Sequence, residues 1–209
     1  MTAPGRKEEI LREATAYFAE HGLEAGTIAL ARRIGIVQPL LYKYFPTKDA
    51  LIKRIYDRLL VKRWNPNWES FLDDDTIPLR RRLTEFYTDY SVSVLTYEHV
   101  RLFLFSGLSR SEFNARYYDA LTKRILARIA RAIRRQHLAA TKPRAVSKRE
   151  MELVQSLHGA IYHIAFRRWV HGETFTSNVA DLVGRKVNAY LDGATRTFAE
   201  RGRRSGAKR

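Results

Sequence analysis

The segment Leu30–Phe45, LARRIGIVQPLLYKYF, constrains this chain more than any other. It reads as two short helices broken at Gly35, the second about seven residues long, or roughly 10 Å of rise. A helix that short is marginal in water and must be propped from behind. Leu41 and Phe45, four apart, share one face and can dock on Leu30, Ile34 and Ile36. The opposite face then shows Gln38, Pro39, Tyr42 and Lys43 to solvent. A propped helix presenting an amide, a phenol and a cation has the form of the second helix of a helix-turn-helix.

The 209 residues are 45% apolar and 29% charged, the balance of a chain with a real core. There is no Cys, which excludes disulfides, thiolate zinc sites and cysteine nucleophiles. That suits a reducing compartment, and a cytoplasmic location is expected. The charged run from Arg6 to Glu13 has no signal-like apolar stretch. No segment approaches the ~18 uncharged apolar residues of a membrane span, so no membrane partner is expected. The net charge of +16 suggests a polyanionic partner. Its distribution is uneven: residues 1–50 contribute +1 and residues 101–150 contribute +10. The segment expected to meet nucleic acid is therefore nearly neutral.

Helical periodicity runs through the chain and strand signals are scarce. A first helix is expected over about 6–20, with Ile10, Leu11, Ala14, Phe18 and Ala19 on one face and His21-Gly22 as its stop. Thr47 can cap a long helix from about Lys48 that ends near Asn65-Pro66-Asn67. Asp73–Thr76 reads as a loop. An apolar and aromatic tract covers about 79–108, interrupted near Tyr97. A helix follows over about 112–137, then a loop around Pro143. Ser147 and Glu150 make a capping box for a helix to Val170, stopped by His171-Gly172. A last helix is expected over about 177–200. This gives a helix-turn-helix domain at 1–48, a helical domain at 49–200 and a basic, disordered tail at 201–209.

With Ile10, Ala14, Phe18, Gly22, Leu30, Ala31, Gly35, Ile36, Leu41, Tyr42, Tyr44, Phe45, Lys48 and Leu51 in place, residues 8–60 resemble the TetR family of transcriptional regulators. The run Gln38-Pro39-Leu40-Leu41-Tyr42 matches one recurrent form of that family's reading helix. The resemblance implies an all-α fold: an N-terminal three-helix helix-turn-helix DNA-binding domain followed by an all-helical ligand-binding and dimerisation domain. It implies that Gln38, Leu40, Tyr42 and Lys43 face base edges or adjoining backbone, with Pro39 in the first turn. Thr27, Tyr44 and Lys48 would hold phosphates. Gln38 can pair bidentately with adenine and Leu40 can pack on a thymine methyl. Two positions depart from the family pattern: Gly26 at the start of the second helix, and Val37 where a polar cap is usual. Val37 cannot cap, and Gln38 is a candidate to do so instead.

The function expected from this resemblance is a ligand-responsive, sequence-specific regulator, a repressor that binds a palindromic double-stranded DNA operator as a homodimer. The dimer contact is expected at about 149–170 and 177–198, on Leu153, Leu157, Ala160, Ile161, Ile164, Val179, Leu182, Val183, Val187 and Leu191. His99, Arg101, His158 and Tyr162 are candidate groups for an effector of unknown identity. The abundance of Arg and aromatics makes an anionic aromatic or acyl effector a candidate class. No cofactor and no metal site are expected, since His158 and His163 are poorly spaced and Arg167 would repel a cation.

Two other readings stand beside this one. The first is an all-α enzyme using one of these histidines for acid–base work, although the chain lacks a Gly-rich phosphate loop, His-Glu-x-x-His and a nucleophile elbow. The second is a peripheral membrane or adaptor protein acting through the basic helix 121–137. There Lys123, Arg124, Arg128, Arg131, Arg134 and Arg135 oppose the apolar face of Leu121, Ile125, Ile129 and Ile133.

Overall fold

The computed structural model describes residues 3–60, 63–108, 112–137 and 145–206, and these hold α-helices and no strand. The helices are α1 (Ala3–His21), α2 (Thr27–Ile34), α3 (Gln38–Tyr44), α4 (Lys48–Leu60), α5 (Trp68–Asp73), α6 (Leu79–Ser93), α7 (Tyr97–Leu108) and α8 (Glu112–Leu121). A π-helical turn (Thr122–Leu126) then leads into α9 (Ala127–His137), followed by α10 (Lys148–Trp169) and α11 (Val179–Gly206). The chain forms two compact units. One is Met1–Trp64 with Val94–Arg116; the other is Asn65–Ser93 with Tyr117–Arg209. The loop expected around Pro143 lies outside the described residues, as do residues 207–209 of the expected tail; residues 201–206 continue α11.

In the first unit, the expected face of α1 is buried in full: Ile10, Leu11, Ala14, Phe18 and Ala19 are each under 4% exposed. They share a core with Leu30, Leu41, Phe45, Leu51, Ile55 and Leu59, and also with Leu102 of α7. The Tyr56 hydroxyl donates to the Leu102 carbonyl at 3.2 Å, tying α4 to α7. Helix α1 ends at Gly22, whose φ of +85° is cheap only for glycine. Thr47 caps α4 as expected, its hydroxyl accepting from the Ala50 N–H at 3.0 Å.

In the second unit, α6 packs against α11, and α5, α9 and α10 complete the bundle. Helix α5 lies where only a turn and an acidic loop were expected. Trp68 and Leu72 bury its inner side, and Trp68 Nε1 donates to Asp89 at 2.7 Å. The expected helix 112–137 is interrupted by the π turn, marked by the Ala127 N–H bonding the Thr122 carbonyl. The added residue lets both Ile125 and Leu126 face the core.

The basic helix is neutralised within its own unit. Arg124 and Arg128 bind Glu69, Arg128 also binds Asp73, and Arg135 binds Asp75 at 3.0 Å. Lys123 pairs with Asp119 at 2.8 Å. Arg134 meets Glu150 at 2.7 Å with both side chains almost fully buried. Five of its six cations are thus occupied by acids, not displayed for a lipid surface. Glu150 is also the N3 residue of the capping box with Ser147 at the start of α10. Burial alone would push its carboxyl pKa up, but the Arg134 guanidinium and the Ser147 N–H and hydroxyl outweigh burial and hold it at about 2.

Glu150→Gln is expected to destabilise the second unit by about 3 kcal/mol at neutral pH, because it strands a buried guanidinium. The folded pKa lies below the unfolded value of 4.5, so this stabilisation is full above about pH 4.5 and fades as pH falls towards about 2. Melting curves at pH 7 and pH 3 test this: the gap between wild type and Glu150→Gln should narrow on acidification.

Candidate nucleic-acid interface

The turn between α2 and α3 is built on Gly35, at φ +74° and ψ +33°. Its N–H bonds the Arg32 carbonyl at 3.1 Å, and the Ile36 N–H reaches the Ala31 carbonyl at 3.0 Å. These bonds close α2 in a glycine-terminated motif that a side-chain-bearing residue enters only at a cost of about 1–2 kcal/mol. Beyond the turn, α3 is fastened from behind as expected. Leu41 and Phe45 are 1% and 3% exposed, and Ile34, Ile36 and Tyr44 pack partly buried around them. Pro39 sits in the first turn, where its missing N–H has no helical partner to lose.

On the outer side, the structure brings two expected reading residues and one expected phosphate contact into one hydrogen-bonded group. Gln38 Nε2 donates to Thr27 Oγ1 at 2.8 Å, and Thr27 Oγ1 and Tyr42 Oη share a bond of 3.0 Å. Thr27 is only 7% exposed. Its hydroxyl is spent on holding Gln38 and Tyr42, so a phosphate must compete with both for it. The bond to Thr27 uses one N–H of Gln38. The other N–H and Oε1 remain as the donor and acceptor that adenine N7 and N6 require.

Pro39 and Lys43 are exposed, and Leu40, Tyr42 and Lys48 are half-exposed. Lys48 Nζ lies 5.8 Å above the Phe18 ring, which steadies the stem and leaves the ammonium at the first residue of α4. Tyr44 packs against the core and is the most structural of the eight. Gln38 does not cap α3. The N-cap is Val37, without a side-chain bond, because the Gln38 amide is engaged by Thr27.

The four candidate effector residues fall in two places. His99 and Arg101 are on α7 in the first unit. His99 is buried and stacks on Phe103, with ring centroids 5.9 Å apart. Arg101 donates to the Ala19 and Glu20 carbonyls, satisfying the end of α1. His158 and Tyr162 are on α10 in the second unit. The His158 ring lies 5.5 Å from Tyr90 and 6.1 Å from Tyr87, and burial lowers its pKa to about 4. Burial likewise raises the phenol pKa values of Tyr87, Tyr90, Tyr162 and Tyr190.

Tyr87 Oη, Tyr190 Oη and His158 Nδ1 are buried without a hydrogen-bond partner among the described residues. Tyr87 and Tyr190 escaped the sequence reading because aromatics on apolar helix faces look like core; the only cue was their density. The rings beside His158 are those of Tyr87 and Tyr90, so its surroundings are aromatic.

Of the ten apolar residues assigned to a dimer contact, Leu157, Ile161, Ile164, Val183, Val187 and Leu191 are buried in the protomer's own core. Buried there, they are not available for that contact. The outer side of α10 is instead the stripe Glu152, Ser156, Gly159 and His163. No group of three or more His, Cys, Asp or Glu able to hold a metal occurs among the described residues. None of their helices is long and apolar enough to cross a membrane.

Val37→Ser supplies the missing cap of α3 and is expected to raise stability by about 1 kcal/mol. Denaturant unfolding of the two proteins, compared at constant m-value, reads this directly.

Residues 10–55 match the family profile of the bacterial regulatory proteins of the tetR family. The tetracycline repressor protein class C of Escherichia coli is 30% identical over 89 residues, which are 39% of this chain and 41% of that protein. The match therefore spans about two fifths of that relative's length. Among solved structures, a TetR-like transcriptional regulator from Rhodococcus sp. RHA1 superposes with a TM-score of 0.63 at 20% identity, covering 92% of this chain and 99% of that one. A tetR-family transcriptional regulator from Streptomyces coelicolor gives 0.62 at 21% identity, covering 96% and 86%. Residues 10–55 therefore carry a tetR-family regulatory domain, and the likeness to these solved structures shows that the fold is shared along the rest of the chain.

Proposed function

We propose that this protein is a ligand-responsive, sequence-specific DNA-binding regulator of transcription, a repressor that acts as a homodimer on a palindromic operator. The observation that carries the reading is the Thr27–Gln38–Tyr42 group on the outer side of α3. It holds an amide and a phenol in fixed positions on a helix small enough for the major groove. Lys43 and Lys48 supply phosphate contacts beside it. Thr27 serves mainly to position Gln38 and Tyr42.

A helix this short reads only a few base pairs. Two copies related by a two-fold axis read two half-sites one helical turn apart, which gives usable specificity. The outer stripe of α10 around Gly159 is the surface offered for that pairing, with α11 beside it. We infer that the effector binds in the second unit, where His158, Tyr87 and Tyr190 carry buried polar atoms without a partner among the described residues; Tyr162 lies one turn beyond His158. A ligand there acts by preferring one state of the dimer to another.

Iterative selection from random duplex DNA, followed by gel-shift titration, tests the reading. A palindromic site should emerge, bound far more tightly than random duplex at physiological salt. Binding that is purely non-specific and lost at moderate salt would refute it. Gln38→Ala should relax base preference at one position per half-site. Lys48→Ala should weaken all sequences alike and lower the salt slope by about one per head. Thr27→Val should reproduce the loss of base preference seen with Gln38→Ala, and Thr27→Ser should restore it.

Gly159→Arg tests the pairing surface. A Cβ at Gly159 meets nothing within 4 Å in the protomer, and replacing a mid-helix glycine gains up to about 1 kcal/mol of helix propensity. The variant should fold at least as stably as wild type, run as a monomer in light scattering, and bind the full operator poorly.

A further inference from the structure

Among described residues 5–59, only two large apolar side chains are left exposed: Ile28 at 57% and Val37 at 67%. Both adjoin the bond that organises the reading group. Ile28 follows Thr27 and Val37 precedes Gln38, the two residues joined at 2.8 Å. Helical spacing puts Ile28 on one flank of the buried Thr27–Leu30–Ala31 stripe. Arg33, on the other flank, turns back to Glu20 at the end of α1. Ile28 therefore faces away from α1, one turn before the exposed Arg32.

The fold gains little from either side chain, since more than half of each is exposed. Val37 occupies a cap position that Ser, Thr or Asp would fill better. Ile28 is a β-branched residue in water in the first turn of an isolated helix flank.

We propose that Ile28 and Val37 recognise the 5-methyl group of a pyrimidine in the major groove, so that each half-site carries methyl-bearing positions beside the adenine read by Gln38. This rests on the DNA-reading function proposed above. The major groove displays one apolar feature, the C5-methyl of thymine. 5-Methylcytosine carries the same group at the same atom. An A·T pair read by Gln38 itself places a thymine methyl across the groove, next to whichever apolar side chain flanks the amide.

The test uses the full chain and the operator obtained by selection. Each thymine of a half-site is replaced symmetrically by uracil, which removes the methyl and leaves the base pair intact, and affinity is read by fluorescence anisotropy at fixed salt. At two positions per half-site, besides any read by Leu40, uracil should weaken wild-type binding about three- to fivefold per methyl removed, or about ten- to twentyfold for the symmetric pair. Ile28→Ala should abolish the penalty at one position and Val37→Ala at the other, with circular dichroism unchanged. At cytosines in the same register, 5-methylation should strengthen wild-type binding and leave the alanine variants unaffected; this arm separates methylated cytosine from thymine as the source.

If uracil is neutral everywhere and cytosine methylation has no effect, or if the penalties persist in both variants, the inference falls while operator recognition stands. It also falls if Ile28→Ala and Val37→Ala change only self-association, which would make the pair a contact between copies. Selection that converges on no sequence would overturn the DNA-reading function, and this inference with it.

Discussion

The first unit depends on the docking of Leu41 and Phe45 into the core made by α1, α2 and α4. A seven-residue helix does not survive alone in water, because nucleation costs more than two turns of hydrogen bonds return. Here that deficit is met by tertiary burial. Leu41 is 1% exposed among Ile10, Phe18 and Leu30, where removing a leucine side chain costs about 2–5 kcal/mol. The reading face is consequently a by-product of the buried one. Once Leu41 and Phe45 are seated, the rotation of α3 is fixed, and Gln38 and Tyr42 both meet Thr27. Shape is set by the core, and chemistry is added on the far side at little further cost.

Charge follows a different logic. The chain carries +16, yet the head expected to meet phosphates holds almost none of it. The most basic helix spends its arginines on Glu69, Asp73, Asp75 and Glu150. Most of these pairs are partly exposed and each is worth little. Together they orient α5 and α9, and Arg134–Glu150 fixes the start of α10. A nearly neutral head limits non-specific attraction to duplex DNA and shifts the demand for affinity onto fitted contacts. A reader of sequence is better served by that balance than by a uniformly basic surface, since the phosphate term does not distinguish sites.

Much of the head was legible in the sequence because its signals are local. Gly35 for a left-handed residue, Thr47 for a cap, and Leu41 with Phe45 at helical spacing each need only near neighbours to be interpreted. Helix α5 escaped because six residues are too few to show a period, and the acids at Asp73–Asp75 resemble a loop. The π turn at 122–126 leaves no trace in composition. Six of the ten dimer residues were misassigned for a general reason: periodicity shows which face is apolar but not what covers it. Val187 and Leu191 are buried on α11, which packs on α6, about 100 residues away in sequence. Thr27 illustrates the same limit at the reading group. Its place in the motif was readable, but its hydrogen bonds to Gln38 and Tyr42 exist only once α2 and α3 are packed.

The small size of α3 also bears on how a ligand could act. One bidentate side chain discriminates bases by about 1–3 kcal/mol, which is too little for a monomer to find a site in a genome. Coupling two heads doubles that free energy and squares the selectivity, but only for a dimer whose spacing matches the operator. The same coupling makes the system sensitive: a ligand need not touch the reading group, only bind one spacing of the heads better than another. A thousandfold difference in its affinity for the two states is about 4 kcal/mol, comparable to the entire base discrimination of one head. The aromatic surroundings of His158, with three unpaired polar atoms among the described residues, are suited to that task. Neutral hydrogen bonds in a low-dielectric site reward one geometry and penalise its neighbours, whereas a buried charge would attract a ligand in both states.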